Sequence, residues 1–349
     1  MILLSRVAER LYWTARYLER AETTSRLARV YGNLLLDLPR ETGLRWDVLV
    51  QITGGTDLYR ELYPNPGPDT AERFFVAERA NPSSVRSSLA LARESIRTTR
   101  DIVPSEAWRS VNELCMYVAE ELDADTSHRR RYGIHSRVVE RCQQISGLLA
   151  DTMSHDAAYQ FFRLGRGIER ADMTTRIIDV AAAMRLGRED LARFDNSLWM
   201  AVLQSLSAYQ MYRQKVRRRV HAPDVILFLF KDQQFPRSVA FSLRELAAAL
   251  SSLPRNGGPL IRLGALRRML AVFEVTQLDV AALHQWNDDA QLALGELHGL
   301  VHATWFEPTT SAVGAGAAAA TVQTQTQTET QTSTPTPLLA AKTEGRPTA

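Results

Sequence analysis

"RYLERAETTSR", residues 16–26, and "RGIERADMTTR", residues 166–176, are two versions of one charged pattern. At an offset of 150, Arg16, Glu19, Arg20, Ala21, Thr24, Arg26 and Val30 meet Arg166, Glu169, Arg170, Ala171, Thr174, Arg176 and Val180. Leu18 with Ile168, Glu22 with Asp172 and Leu27 with Ile177 are conservative pairs. A second stretch aligns at an offset of 154, "NPSSVRSSL" (81–89) with "FPRSVAFSL" (235–243). Order and spacing repeat, so the chain reads as two copies of one helical unit, about 1–150 and 151–307. Duplicated helical units commonly pack across a pseudo-two-fold axis and share a core. The expectation is therefore one domain over 1–307.

The surrounding sequence agrees with an all-α fold. Apolar residues recur at spacings of three and four, and strict alternation is rare. The first helical segment runs from about Ile2 to Leu38 and ends at Pro39. Further breaks fall at "YPNPGP" (63–68), Asn81-Pro82, Val103-Pro104, His221 to Pro223, Phe235-Pro236 and "PRNGGP" (254–259). Asn81 followed by Pro82 reads as a helix start, an Asn cap ahead of a ring that presets φ. "TGG" (53–55) reads as a helix end. Beyond Pro308 the chain turns to "GAGAAAATVQTQTQTETQTSTPTP", with few large apolar residues to offset its ordering entropy. Residues 308–349 are expected to be a disordered tail.

Bulk properties exclude several classes. The chain has 349 residues, 45% of them hydrophobic and 23% charged, an ordinary composition for a soluble protein. A net charge of +3 gives no strong electrostatic case for nucleic acid. Two cysteines, Cys115 and Cys142, neither build a disulfide scaffold nor make a four-thiolate zinc site, and a reducing cytoplasm is the natural setting. The start, "MILLSRVAERLYW", is expected not to be a signal peptide, because Arg6, Glu9 and Arg10 interrupt its apolar run. "VILFLF" (225–230) is too short to span a bilayer.

On a helix at 100° per residue, Arg16, Glu19, Arg20 and Thr23 share a side that Leu27, Val30 and Leu34 continue. Arg166, Glu169 and Arg170 share theirs with Phe162, Met173, Ile177 and Val180. A solvated run of charge would sit opposite the apolar stripe, whereas this one lies on it. Buried charges need partners. One reading is an ion-pair network, Arg16 and Arg20 with Glu19 locally, or crosswise as Arg16 to Glu169 and Arg166 to Glu19. The other is a polar pocket in which four arginines against two glutamates present forked donors to carboxylate or phosphate. As an enzyme site, Glu19 or Glu169 would serve as acid or base and the arginines as a clamp. Adjacent arginines lower a glutamate pKa, which suits orientation better than proton transfer.

Other candidates carry less. His298 and His302 have metal-compatible spacing without a neighbouring glutamate as in H-E-x-x-H. The basic runs "YQMYRQKVRRRVH" (209–221), with Arg217, Arg218 and Arg219, and "HRRRYG" (128–133) read as solvated helix ends. Cys142 with His135 or His155 has no supporting geometry for a nucleophile. Tyr12, Trp13, Phe161 and Phe162 read as core. Phosphate-loop, dinucleotide and nucleophile-elbow motifs do not occur, and no cofactor or metal is expected.

Taken together, "LYWTARYLERAETTSRL", "LGRGIERADMTTRIIDV", "NPSSVRSSL", "FPRSVAFSL" and "VHATWF" closely resemble the bacterial alpha-E domain family over about residues 1–306. That family is a helical domain named for a Glu-Arg motif, carried here by Glu19-Arg20 and Glu169-Arg170. The resemblance implies a setting beside a circularly permuted ATP-grasp protein and a transglutaminase-like protein, at times with a proteasome-like peptidase. It further implies a cytoplasmic peptide-modification system in which this chain is an accessory component, binding the ligase or an anionic peptide. The tail has no counterpart in the family pattern.

Overall fold

Prolines and small polar caps divide the chain into helices, and the computed structural model places them as follows. It describes residues 3–37, 39, 46, 49–50, 54–123, 128–185, 193–275 and 279–307. Among these there are thirteen helices and no strand. They are α1 (Ser5–Asp37), α2 (Thr56–Leu62), α3 (Pro68–Val76), α4 (Val85–Arg97), α5 (Ser105–Asp123), α6 (His128–Thr152) and α7 (Ala157–Arg185). Then come α8 (Asp195–Ser205), α9 (Tyr209–Val216), α10 (Ala222–Lys231), α11 (Val239–Ser251), α12 (Gly257–Val272) and α13 (Val280–Trp305). They belong to one unit, Met1–Pro308. The expected disordered tail, 308–349, lies outside the described residues.

Local chemistry fixes the helix starts. Ser84 opens α4 by accepting the Ser87 N–H at 3.1 Å, and Ser238 opens α11 by accepting the Phe241 N–H at 3.0 Å. Asp279 does the same for α13, from the Ala282 N–H at 3.0 Å. Pro68 and Pro223 sit in the first turns of α3 and α10, where a missing N–H costs nothing. The expected cap at Asn81 is wrong by three residues. Its side chain turns the chain ahead of α4, donating to the Phe74 carbonyl at 2.9 Å and accepting from the Ser83 N–H at 2.9 Å. Of "TGG", Thr53 lies outside the described residues, and Gly54 takes a left-handed φ of 73° that suits the end of a segment.

Two long helices form the centre. α1 and α7 pack on each other. α1 is flanked by α4, α6 and α8, and α7 by α11, α13 and α8. α5 packs on α4 and α6, while α12 packs on α11 and α13. Both central helices are therefore enclosed on most sides rather than along one stripe. From Ala21 to Ala28 every residue of α1 is buried, polar ones included. Leu11, Leu18, Phe162, Leu164 and Ile168 are among the core side chains around them. The crossing is close at Gly165. A Cβ there would collide with the Tyr12 carbonyl and stand 3.2 Å from the Cβ of Ala15.

Candidate functional site: a cross-braced Glu–Arg cluster

The two motifs meet because α1 and α7 cross where they lie. Glu169 accepts from Arg16 Nε at 2.7 Å and from Arg20 twice, Nε at 2.5 Å and Nη2 at 3.0 Å. Glu19 accepts from Arg170 twice, Nε at 3.1 Å and Nη2 at 2.7 Å. Each glutamate is held by the other helix's arginine in a two-toothed, charge-assisted grip. Among the described residues, neither glutamate is paired with the arginine that follows it in sequence.

The second partner of Glu19 departs from the crosswise expectation. It is Arg237, at the head of α11, whose Nη1 donates to Glu19 Oε1 at 2.5 Å and whose Nη2 donates to Glu22 Oε1 at 2.6 Å. Arg166 makes no carboxylate bond among the described residues, and its guanidinium lies 5.9 Å from the centre of the Phe162 ring. Arg237 is buried and bonds Glu19, so the place expected for Arg166 is filled. The sequence held one sign of this. Within two matching stretches, Ser83 of the first corresponds to Arg237 of the second.

Burial decides what the cluster can do. Glu19 is 2% exposed and Glu169 1%. Burial alone would push both carboxyls up. The guanidiniums of Arg170 and Arg237 around Glu19, and of Arg20 and Arg16 around Glu169, outweigh it and hold both below the usual carboxylate range, Glu19 well below. Both favour the ionised form, which accepts these hydrogen bonds. The arginine side chains keep an edge towards solvent, 11% for Arg16, 19% for Arg20 and 16% for Arg170. Arg16 also stacks near Trp13, 5.1 Å from the ring centre, and Trp13 stacks on Tyr17.

The cluster extends inward. Glu22 also receives Arg26, which is fully buried, and Gln143 at 3.3 Å. Arg26 Nε and Nη1 have no partner among the described residues. Burial, then the nearby Arg237, bring the Arg26 pKa down to about 10. Arg166 is likewise lowered, by burial and by Arg170. Six guanidiniums (Arg16, Arg20, Arg26, Arg166, Arg170, Arg237) thus gather around three carboxylates, Glu19, Glu22 and Glu169. The cluster keeps a surplus of positive charge.

The remaining candidates are dispersed. His298 joins this region, its Nδ1 2.8 Å from the Tyr12 hydroxyl and its ring stacked on Tyr12, and burial followed by Arg16 lowers its pKa to about 4. His302 instead faces Glu307. Cys142 is buried, and burial pushes its thiol far up, which works against forming the thiolate a nucleophile needs. His155 stacks on Tyr159. In the basic run, Arg218 pairs with Asp224 and Lys215 with Asp232. Residues 128–133 open α6. Tyr12, Phe161 and Phe162 are core, and Trp13 is half-buried at its edge.

An all-helical domain cross-braced by two Glu-Arg pairs is the class that these features define. The chain belongs to the Alpha-E family, whose model, described as a predicted alpha-helical domain with a conserved ER motif, matches residues 3–306. An uncharacterised protein of Mycobacterium bovis is 24% identical over 272 residues, 72% of this chain. An uncharacterised protein of Mycobacterium tuberculosis H37Rv is 24% identical over 274 residues. The chain spans only 30% of the length of these relatives. No solved structure matches it.

Proposed function

We propose that the chain is a non-catalytic helical accessory protein, binding an ATP-grasp ligase or a transglutaminase-like protein of a cytoplasmic peptide-modification system. One observation carries the non-catalytic part. Both motif glutamates are sealed, doubly paired and held in the ionised form, so neither is free to take or give a proton during a reaction. The enzyme reading, with Glu19 or Glu169 as acid or base, loses its chemistry on that ground. The ligase setting rests on the family resemblance. In the longer relatives the region similar to this chain makes up less than a third of the length. Among the described residues no helix is long and apolar enough to cross a membrane.

We also infer that the domain arose by duplication. In support, α1 with α4, α5 and α6 packs in the same order as α7 with α11, α12 and α13. Ser84 and Ser238 cap corresponding helices, and Ala15 and Gly165 meet at corresponding positions of the crossing.

The test is co-purification with the neighbouring gene products. A complex that survives size exclusion at micromolar concentration is expected, and its absence removes the accessory reading. A second reading, an anion site, is favoured by Arg166. A largely buried guanidinium without a carboxylate among the described residues is a ready partner for a peptide carboxylate or a phosphate. On that reading citrate raises the melting temperature more than sodium chloride of equal ionic strength, and Arg166→Gln abolishes the difference.

A further inference from the structure

A separate group of side chains meets further along α7. Asp179 lies two turns beyond the motif, and His284 and Asp288 stand one turn apart on α13. Spacing of four puts the last two side by side on their helix. His284 Nδ1 is 2.7 Å from Asp179 Oδ1, and its Nε2 is 3.7 Å from Asp288 Oδ2. One ligand atom from each of the three residues falls within 4.8 Å of the other two.

A second observation comes from beneath the group. Asn287 is fully buried, and its Nδ2 donates to Asp179 Oδ1 at 3.3 Å, turning that carboxylate towards the histidine. Its Oδ1 has no partner among the described residues. That oxygen belongs to the amide that holds Asp179, so an unsatisfied buried acceptor lies next to this carboxylate. Buried acceptors are normally satisfied, and a cation satisfies several at once.

We propose that Asp179, His284 and Asp288 form a binding site for a divalent transition-metal ion of the zinc class, with Asn287 as the positioning residue for Asp179. The donor set is one nitrogen and two carboxylates, which suits zinc or cobalt and, because of the imidazole, disfavours magnesium and calcium. Zinc bonds of about 2.0–2.2 Å in a tetrahedron set ligand atoms roughly 3.3–3.6 Å apart. An imidazole gives one nitrogen to an ion, so the widest separations must close by about 1 Å while the 2.7 Å His284–Asp179 contact opens, which His284 and Asp288 can do by side-chain rotation because both are about half exposed. The ion would clip the start of α13 to the last third of α7. Three protein ligands leave a coordination position for water or for a donor from another molecule.

The full-length protein, stripped with chelator, is titrated with cobalt(II) and zinc(II), followed by visible absorption and calorimetry. One ion per chain is expected, with cobalt bands of low-coordinate N/O ligation that zinc abolishes. His284→Ala and Asp179→Asn should each weaken binding at least about ten-fold, whereas His302→Ala should leave it unchanged. Asp288→Asn, at an exposed position, guards against misfolding and should also weaken binding without changing the metal-free melting temperature. Binding that is equal in wild type and His284→Ala, or that is lost in His302→Ala instead, overturns the proposal. So does a wild type that takes up no ion at 100 micromolar metal, a concentration on the order of a weak, ~5 kcal/mol site.

Discussion

Replacing Glu169 by alanine removes three hydrogen bonds at once, one from Arg16 and two from Arg20. Neither arginine can turn fully to water, because their side chains are only 11% and 19% exposed. Both are already crowded by a surplus of guanidiniums, so the lost carboxylate leaves like charges facing each other in a dry place. Breaking a buried pair from one side costs about 3–5 kcal/mol, against under about 1 kcal/mol for an exposed pair. At about 2–4 °C per kcal/mol for domains approaching this size, the melting temperature should fall by roughly 6 °C or more. Glu296→Ala is the control. Glu296 pairs with Arg262 at the surface, half exposed, and its loss should move the transition by no more than about 4 °C. The assay is calorimetric or circular-dichroism melting of both variants beside the wild type. A Glu169→Ala protein that melts with the control would mean that the arginines reach water, and the burial argument would be wrong.

Gly165→Ala should be strongly destabilising in a melting experiment, since the new methyl group meets the Tyr12 backbone and α1 and α7 must separate. Gly147→Ala, where nothing lies within 4 Å, should be neutral or stabilise by about 0.5–1 kcal/mol, and equal effects would refute the close crossing. The histidine that bonds to Tyr12 sets a pH dependence. His298 has a pKa of about 4 in the fold against 6.5 when exposed, so below 6.5 the folded state binds fewer protons than the unfolded one. Its contribution is complete above pH 6.5 and is lost as pH falls towards 4, and the depressed Glu19 and Glu169 act in the same direction only below about 4.5. Melting between pH 7.5 and 5 should show a slope that His298→Gln flattens, and an unchanged slope in that variant would sink the assignment.

Much of the fold was open to reading. Proline and the three-four apolar spacing locate the breaks, and the duplicated pattern points to Glu19 and Glu169 as buried groups that need partners. What escaped has physical causes. Thr24, Ser25 and Arg26 are wholly buried, yet they lie off the apolar stripe, and a helix enclosed on most sides buries residues that its stripe does not announce. Asn81 and Ser84 are both good caps, and which one opens α4 depends on the tertiary bond from Asn81 to Phe74. Arg237 comes 67 residues after Arg170, and only its mismatch with Ser83 set it apart. Asp179 and His284 are brought together by helix packing alone, a relation no local spacing encodes.

The central claim is that the Glu-Arg motif works across the two helices and not along either one. A double-mutant cycle separates these. Coupling between Arg20 and Glu169, 149 positions apart, is measured from the unfolding free energies of the wild type, Arg20→Met, Glu169→Gln and the double variant. The same is done for Arg20 and Glu19, which are adjacent in sequence. Contacting groups in one network couple by about 0.5–3 kcal/mol. The crosswise brace predicts a value near the upper end for Arg20 with Glu169 and one near zero for Arg20 with Glu19. The reverse order would contradict it.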